Sequence, residues 1–237
     1  MSKDNKSSKD KYRREFLGNV SHELKTPVFN IQGYVQTLIE GAIYDKEVNM
    51  KYLKRANKSI DRMINIIQDL ETITSLESDI TKLKITKFSL KRLIKDVFEQ
   101  LDLKSKEKNI KLFYIQKTDY KYVYADRNKL FQVFINLISN SIRYGKHNGK
   151  TEVIVDNNKK HIIIHIIDNG LGVKDKHLNR LFERFYRVDK NRSREQGGTG
   201  LGLAIVKHII EAHKSKIYVS SVYGEGTNFY FKLPIPE

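Results

Sequence analysis

The chain has 237 residues and a formal net charge of +16 at pH 7, with 39% hydrophobic and 10% aromatic residues, a composition that supports a substantial core and excludes disorder throughout. It contains no cysteine, which excludes a disulfide framework and any thiolate metal site. No run approaches the roughly 20 apolar residues that cross a bilayer, and the N-terminus is too polar for a signal peptide, so we expect the chain as it stands to be soluble and cytoplasmic.

Residues 1–10 form a polar, basic leader, and the basic stretch continues to Arg14. This segment is expected either to be solvated or to lie beside a membrane, attracted to anionic lipid; in the second case a transmembrane sensor region would precede it. The other basic residues are spread along the chain without a nucleic-acid-binding motif. We therefore do not expect specific binding of nucleic acid.

Residues 11–78 are predicted to form a helical hairpin, with one helix from about Lys11 to Ala42, a turn from Gly41 to Asp45, and a second helix from about Glu47 to Glu77. Both helices carry apolar residues seven apart, which is the spacing of a coiled-coil seam. The seam positions are Leu17, Leu24, Ile31 and Leu38 in the first helix and Leu53, Ile60 and Ile67 in the second, with Ala56, Met63 and Leu70 between the latter.

The hairpin has more apolar surface than it can cover alone. Three further isoleucines widen the stripe of the second helix: Ile64, Ile66 and Ile73. A homodimeric four-helix bundle is the simplest way to bury these faces. Packing against a domain upstream of this chain is the alternative.

His22 lies away from the predicted seam. With Leu17 at heptad position a, His22 falls at position f, which points into solvent, and Glu23 places a carboxylate beside it. An exposed imidazole in this setting suits reaction with the phosphate of another molecule. An amphipathic helix that happens to carry His-Glu and a proline kink is the alternative.

Residues 79–87 are predicted to be a linker, and residues 88–237 a second domain. Here Ser89 can cap a helix from Leu90 to about Lys104, and Asp126 can cap a helix to about Tyr144. A strand is predicted from Ile110 to Ile115. Two hairpins are predicted as well, one from Thr151–Val155 with His161–Ile167 and one from Ile217–Tyr223 with Thr227–Leu233. Helices interleaved with antiparallel hairpins predict an α/β sandwich, so the fold class is α + α/β.

Asn136 and Asn140 are four residues apart on the second of these helices, so both amides share one face. Arg143 and Tyr144 follow one turn later on the same side. A neutral amide oxygen suits Mg²⁺ that is bound largely through water and substrate phosphates. Two asparagines on a helix also occur on an ordinary solvated face.

Two glycine-rich segments follow. The apolar strand before Asp168 ends in Asp168-Asn169-Gly170-Leu171-Gly172, where a carboxylate could accept a hydrogen bond from an amino group in a dry pocket. A strand-ending turn capped by Asp168 is the alternative. Gly197-Gly198-Thr199-Gly200-Leu201-Gly202-Leu203 opens a helix, where backbone amides can bind an anion. This segment matches neither a Walker P-loop nor a Rossmann fingerprint.

These motifs, in this order, resemble the boxes of sensor histidine kinases of two-component systems. His22 to Pro27 resembles the H-box, residues 136–144 the N-box, residues 168–172 the G1 box and residues 197–203 the G2 box. Phe182 to Arg187 resembles the F-box, Asp189 to Gly197 an ATP lid, and Gly224 to Thr227 the G3 turn. Two positions depart from the family: Ser141 stands where alanine is usual and Arg143 where a lysine is usual.

The resemblance implies a role for each matched residue. His22 would be the nucleophile, Glu23 would accept or orient its proton, Thr26 would orient a water for phosphatase activity, and Arg187 would stabilise the γ-phosphate. Asn140 would hold Mg²⁺, and Asp168 would bind the adenine amino group. The remaining nucleotide-binding positions would be Asn136, Arg143, Tyr144, Gly170, Gly172, Phe182, Gly198, Gly200, Leu201, Gly202 and Thr227.

The resemblance thus implies a dimeric phosphotransfer hairpin followed by a Bergerat-type ATP-binding sandwich. It implies ATP-dependent phosphorylation of His22, transfer to an aspartate of a response regulator, and phosphatase activity, with the full-length protein in the bacterial cytoplasmic membrane. A GHKL-type ATPase that never labels His22, and a non-catalytic signalling scaffold, are the alternatives. Acid-labile phosphate on the protein discriminates among the three.

Overall fold

A computed structural model describes residues 3–77, 83–189 and 198–235, with side chains described from Phe16 onward and up to Leu76 in the first of these ranges. The chain divides into two compact units, residues 1–71 with 191–201 and residues 72–190 with 202–237. Most of the predicted lid, residues 190–197, lies outside the described residues, as do the last residue of the predicted hairpin and residues 79–82 of the predicted linker.

The first unit is a helical hairpin. Helix α1 spans Lys3–Ile39, a 3₁₀ turn spans Ala42–Tyr44, and helix α2 spans Asn49–Glu77, of which the last six residues are assigned to the second unit. α1 ends because Gly41 adopts a φ of 121°, a conformation that favours glycine. The turn lies where it was predicted, but α1 begins eight residues earlier than the predicted Lys11 and so includes most of the basic leader.

Two contacts between described side chains fix the register of the antiparallel helices. The rings of Tyr34 and Tyr52 lie 5.9 Å apart, and Arg62 forms an ion pair with Glu23. Moving 11 residues back along α1, from Tyr34 to Glu23, therefore corresponds to moving 10 residues forward along α2, from Tyr52 to Arg62. This is the pairing expected of two helices that run side by side in opposite directions.

The predicted seam is only partly buried in a single chain. Leu38 and Ala56 are buried, whereas Leu53, Ile60 and Ile67 keep 49%, 40% and 43% of their surface exposed. This exposure agrees with the expectation that a single hairpin has more apolar surface than it can cover alone. The exposed apolar surface of the hairpin also includes Leu17, Val28, Phe29, Val35, Ile39 and Ile64.

The second unit contains two sheets among the described residues. The larger has the strand order β2 (Lys111–Gln116), β4 (Lys150–Asn157), β5 (His161–Asp168), β7 (Gly226–Pro234) and β6 (Ile217–Val222). β2 pairs with β4 in parallel, and the other neighbours are antiparallel. β1 (Ile85–Ser89) and β3 (Tyr122–Asp126) form a separate antiparallel pair.

In the part of this unit that the structure describes, the strands are accompanied by α3 (Leu90–Glu107), α4 (Arg127–Tyr144), the short α5 (Asp175–Leu178) and α6 (Gly202–Ala212). Alternate residues of β4, β5 and β7 are buried, as expected for a sheet that packs helices on one face. Phe134 of α4 meets Phe231 of β7 with ring centroids 6.0 Å apart. The unit is thus the α/β sandwich that was predicted.

Local sequence signals placed several elements correctly. Ser89 accepts a hydrogen bond from the backbone N–H of Arg92, and Asp126 accepts from those of Asn128 and Lys129, so both predicted caps are confirmed. The linker prediction is wrong for residues 85–87, because they pair with β3 as part of β1. No helix in the described part of the chain combines the length and apolarity needed to span a bilayer.

Candidate functional site

His22 is exposed on α1, as its heptad position predicted. The imidazole ring makes no hydrogen bond within the described residues, and the backbone carbonyl of His22 accepts one from the Thr26 hydroxyl at 3.3 Å. Pro27, which follows, cannot donate the backbone N–H that would otherwise reach the carbonyl of Glu23. The ring nitrogens of His22 are therefore accessible to a reactant from outside the helix.

Glu23 points in another direction. Its Oε2 atom lies 2.9 Å from Nη2 of Arg62 on α2, and the two side chains keep only 15% and 13% of their surface exposed. Consecutive side chains on a helix diverge by about 100°, which explains how Glu23 can face the second helix while His22 faces solvent. Sequence reasoning did not identify Arg62, because nothing local to either helix indicates which residues meet across a hairpin.

Asn136 and Asn140 have different environments on α4. The Asn136 side chain donates a hydrogen bond to the Gly202 carbonyl at 3.2 Å, which ties the first residue of α6 to α4. The half-buried Asn140 amide makes no hydrogen bond to any residue that the structure describes. Its oxygen is therefore available as a hard, neutral ligand, and the residue fits a magnesium ion that is held mainly by phosphates and water.

Lys108 stabilises the C-terminal end of α4. Its Nζ atom donates to the carbonyl of Ile142 at 3.1 Å and to the carbonyl of Arg143. A lysine at this position compensates the negative end of the helix dipole and satisfies carbonyls that have no partner within the helix. Arg143 is half-buried next to it, and the Tyr144 side chain keeps 37% of its surface exposed. Sequence reasoning missed Lys108, which lies at the end of a different helix.

Asp168 occupies the inner face of the sheet at the end of β5. It lies opposite Thr151 in β4 and opposite Thr227 in β7. Burial raises the pKa of the Asp168 carboxyl, while hydrogen bonds from the backbone N–H groups of Gly170 and Thr227 lower it. The Gly170 bond measures 2.8 Å. A carboxylate in such a place is well suited to accept a hydrogen bond from a ligand amino group.

Two glycines allow the chain to close around Asp168. A Cβ atom on Gly172 would lie 2.1 Å from the Val222 carbonyl oxygen, and one on Gly226 would lie 1.9 Å from that of Asp168. Both residues also have positive φ angles, 63° and 146°. No other residue fits these positions without displacing backbone, so the predicted G1 and G3 segments are held directly against each other.

The predicted F-box follows α5. The Phe182 ring meets that of Phe229 edge-on, with centroids 6.2 Å apart, and Arg187 is half-buried. Phe185 has a φ of 61°, which is uncommon for an aromatic residue. The Tyr186 hydroxyl and Nδ1 of His177 are hydrogen-bonded at 2.6 Å.

The predicted G2 segment is divided between the two units. Gly198, Gly200 and Leu201 belong to the unit that contains the hairpin, and Gly202 belongs to the unit that contains α4 and Asp168. Gly198 and Leu201 are buried, and Gly200 has a φ of 77°. The Thr199 hydroxyl accepts from the backbone N–H of Leu201 at 3.1 Å.

The structure therefore groups the predicted residues in two sets. His22, Glu23 and Thr26 lie within about one turn of α1. The second unit contains Asn136, Asn140, Arg143, Tyr144, Asp168, Gly170, Gly172, Phe182, Arg187, Gly202 and Thr227. Within the described ranges, no group of three or more histidine, aspartate and glutamate side chains is arranged to hold a metal ion by itself.

Comparison with known proteins identifies the family. The His Kinase A (phospho-acceptor) domain matches residues 12–79, and the histidine kinase-, DNA gyrase B-, and HSP90-like ATPase family matches residues 125–237. The sensor protein kinase WalK of Staphylococcus epidermidis is 35% identical over 227 residues, or 95% of this chain. The chain belongs to the sensor histidine kinases of two-component systems.

These sensor histidine kinase relatives are longer than this chain. The match covers 37% of the Staphylococcus epidermidis protein, and a Staphylococcus aureus WalK sequence is 34% identical over 229 residues with 54% of its length covered. The chain thus spans about a third to a half of the length of these curated relatives.

Solved histidine kinases share the fold. The Acinetobacter baumannii histidine kinase AdeS superimposes with a TM-score of 0.75 at 28% identity, covering 91% of this chain and 98% of that one. The catalytic domain of histidine kinase ThkA superimposes with a TM-score of 0.57 at 27% identity, covering 65% of this chain. ThkA in complex with the response regulator protein TrrA, at 23% identity, supports the fold alone, with a TM-score of 0.75.

Proposed function

We propose that this chain is the catalytic core of an ATP-dependent protein-histidine kinase that phosphorylates itself on His22. The phosphoryl group then passes to an aspartate of a response regulator, and the same hairpin removes it from the regulator. The observation that carries the proposal is the exposed, unbonded His22 ring within His-Glu-x-x-Thr-Pro, on a chain that also has an ATPase-family sandwich. ATP is the phosphoryl donor.

The transfer step requires a neutral ring nitrogen. That nitrogen of His22 forms a bond to the γ-phosphorus while the bond from this phosphorus to the β,γ-bridging oxygen breaks, and ADP leaves. Glu23 takes up the proton of the other ring nitrogen as positive charge develops on the imidazole. The hairpin also supplies Thr26, whose hydroxyl would orient the water that attacks the phosphoaspartate of the regulator.

The second unit positions ATP. Asp168 accepts the adenine amino group, Tyr144 packs on the base, and Arg143 and Arg187 neutralise phosphate charge. Asn140 would hold a Mg²⁺ ion, which would supply positive charge against the phosphates. Asn136 contributes indirectly, because its amide is bonded to Gly202 and fixes the start of α6.

The nucleotide set is completed by positions that shape or line the pocket. Gly170 donates its backbone N–H to Asp168, and Thr227 lies opposite Asp168 in the sheet. Gly172 passes close to the Val222 carbonyl, and Phe182 packs edge-on against Phe229. The glycine-rich segment would cradle the phosphates with its backbone amides. Its residues are Gly198, Gly200, Leu201 and Gly202.

We infer a homodimer with a four-helix bundle from the apolar surface of the hairpin. Leu53, Ile60 and Ile67 repeat every seven residues along α2 and are at least 40% exposed, which is the arrangement expected of a seam that awaits a partner helix. We further infer that the full-length protein is a membrane receptor with this region in the cytoplasm, as the basic helical leader before the hairpin supports.

The experiment is incubation of the purified chain with γ-labelled ATP and Mg²⁺, followed by mapping of the label. We expect acid-labile phosphate on His22, no label on His22→Gln, and unchanged ATP binding by that variant. His147→Gln, which replaces another exposed histidine, is the control and should label normally. ATP hydrolysis with no label on His22 would favour the alternative of a GHKL-type ATPase. Label on His22→Gln would refute the assignment of His22 as the phosphorylated residue.

A further inference from the structure

The ion pair between Glu23 and Arg62 joins the two helices of the hairpin beside the reactive histidine. The guanidinium Nη2 and the carboxylate Oε2 are 2.9 Å apart, and both side chains are largely removed from solvent, with 13% and 15% of their surface exposed. The pair is therefore less screened than an ion pair on the open surface. It holds the Glu23 carboxylate in one defined position.

That position differs from the one that the transfer chemistry needs. The carboxylate contacts α2, whereas the neighbouring His22 ring is exposed and makes no hydrogen bond to the described residues. Neighbouring side chains of a helix do not face each other, so Glu23 can reach the imidazole only by changing its rotamer. This change separates it from Arg62.

We propose that Arg62 is a positioning residue that holds Glu23 in a resting position, and that the ion pair opens before His22 is phosphorylated. The inference rests on the proposed function, in which Glu23 takes up the imidazole proton. In the closed pair the carboxylate is bound to the guanidinium on α2 and is out of reach of the ring. Opening of the pair brings the carboxylate within reach of the imidazole at the step in which the nitrogen–phosphorus bond forms and ADP leaves.

The charge on Arg62 is the property to test. Arg62→Gln keeps a long polar side chain but removes the cation, Arg62→Lys keeps the cation, and Arg55→Gln makes the same substitution at an exposed position two turns earlier on α2. The three variants are compared with wild type by circular dichroism and gel filtration. Initial rates of His22 labelling are then measured at saturating ATP and Mg²⁺ across a range of pH.

We expect Arg62→Gln to label His22 about three- to tenfold faster at neutral pH. This factor corresponds to the ratio of closed to open ion pair in wild type, which the substitution removes. Arg62→Lys should stay close to wild type, because it keeps the cation that binds Glu23, and Arg55→Gln should match wild type as well. A faster rate in Arg62→Gln that Arg62→Lys reverses is not expected from a merely structural role.

Two results would overturn the inference. One is an Arg62→Gln rate equal to wild type across the pH range, and the other is a lower rate that Arg62→Lys restores, which would mean that the closed pair serves catalysis. If Arg62→Gln does not fold, the ¹³C resonance of the Glu23 carboxyl in wild type is followed during addition of a non-hydrolysable ATP analogue, and an unchanged resonance overturns the inference. Absence of His22 label on wild type would instead refute the proposed function itself.

Discussion

The hydroxyl groups of Ser141 and Thr151 share a buried hydrogen bond that joins α4 to β4. Thr151 is fully buried and lies opposite Asp168 in the sheet, so this bond supports the strand position next to the carboxylate that we propose binds adenine. The serine is one of the two departures from the family's usual N-box. The structure gives it a partner that an alanine could not have.

Ser141→Ala should lower the free energy of unfolding by about 1–3 kcal/mol, because the Thr151 hydroxyl would remain buried without a partner. Thr151→Val should destabilise for the same reason, and the double variant Ser141→Ala/Thr151→Val should lose less than the sum of the single changes. Urea denaturation of all three measures this. Ser220→Ala, at an exposed position in β6, is the control. Strictly additive losses would contradict the coupling.

Asp168→Asn should bind ATP far more weakly yet fold more stably at pH 7. Burial raises the pKa of Asp168, so the folded state binds its proton more tightly than the unfolded state does. Ionisation of Asp168 therefore lowers the free energy of unfolding. This loss grows as pH rises from the ordinary pKa of an aspartate through the raised pKa, and it is complete at neutral pH. Denaturation and ATP-analogue titration of this variant and of the exposed Asp119→Asn measure both effects. Unchanged affinity would mean that the adenine site lies elsewhere.

His213 should make the stability of the sandwich sensitive to mild acid. Its Nδ1 atom donates to the Ile209 carbonyl at 2.8 Å, and its Nε2 atom accepts from the backbone N–H of Asp126 at 3.0 Å, so the ring is held neutral. Burial lowers its pKa, against the opposing effects of the Ile209 carbonyl and the Asp126 charge.

With the folded pKa below the ordinary value of 6.5, the unfolded state binds the proton more readily, and stability falls as pH drops from 6.5 through the lowered pKa. His213→Gln should reduce this slope in denaturation experiments between about pH 5 and pH 7, the range over which an ordinary histidine titrates. His147→Gln, which changes an exposed histidine, should keep the wild-type slope. Equal slopes in all three proteins would contradict the prediction.

Thr26→Ala should separate formation of the phosphoryl bond from its hydrolysis. We expect nearly normal labelling of His22 and a slower dephosphorylation of the regulator, on the order of 100-fold if the water loses its alignment. Thr26→Ser, which keeps the hydroxyl, should restore the rate. In the structure this hydroxyl donates to the His22 carbonyl, so equal loss of both activities would instead indicate that it stabilises the helix next to Pro27.

The sequence predicted elements best where the signal is local. The caps Ser89 and Asp126 and the helices that follow them were placed correctly, because a capping side chain and its partners lie within three residues. β1 and β3 were missed, since neither strand has a partner close in sequence and each is only five residues long. The four-residue helix α5 is too short to show a periodicity.

The same distinction applies to the site. The exposure of His22 followed from its heptad position, and the adjacent glycines indicated a site at Asp168, at the end of an apolar strand. Contacts between distant segments could not be predicted: Arg62 meets Glu23 from 39 positions away, and Lys108 reaches the end of α4 from 34. The seven-residue spacing placed Leu53 at a seam position. Leu53 is nevertheless exposed, because one chain does not provide the surface that would cover it.

α1 is continuous from Lys3 to Ile39. His22 lies 19 residues after Lys3, a distance of about 28 Å along the helix axis. A hydrogen-bonded helix resists local untwisting, so a rotation imposed at one end is carried to the other with little loss. Pro27 removes one hydrogen bond only after the histidine has been passed. The helix therefore behaves as a rigid rod. A rotation of its N-terminal end by a given angle would rotate the His22 ring around the helix axis by the same angle, toward or away from the molecule that reacts with it.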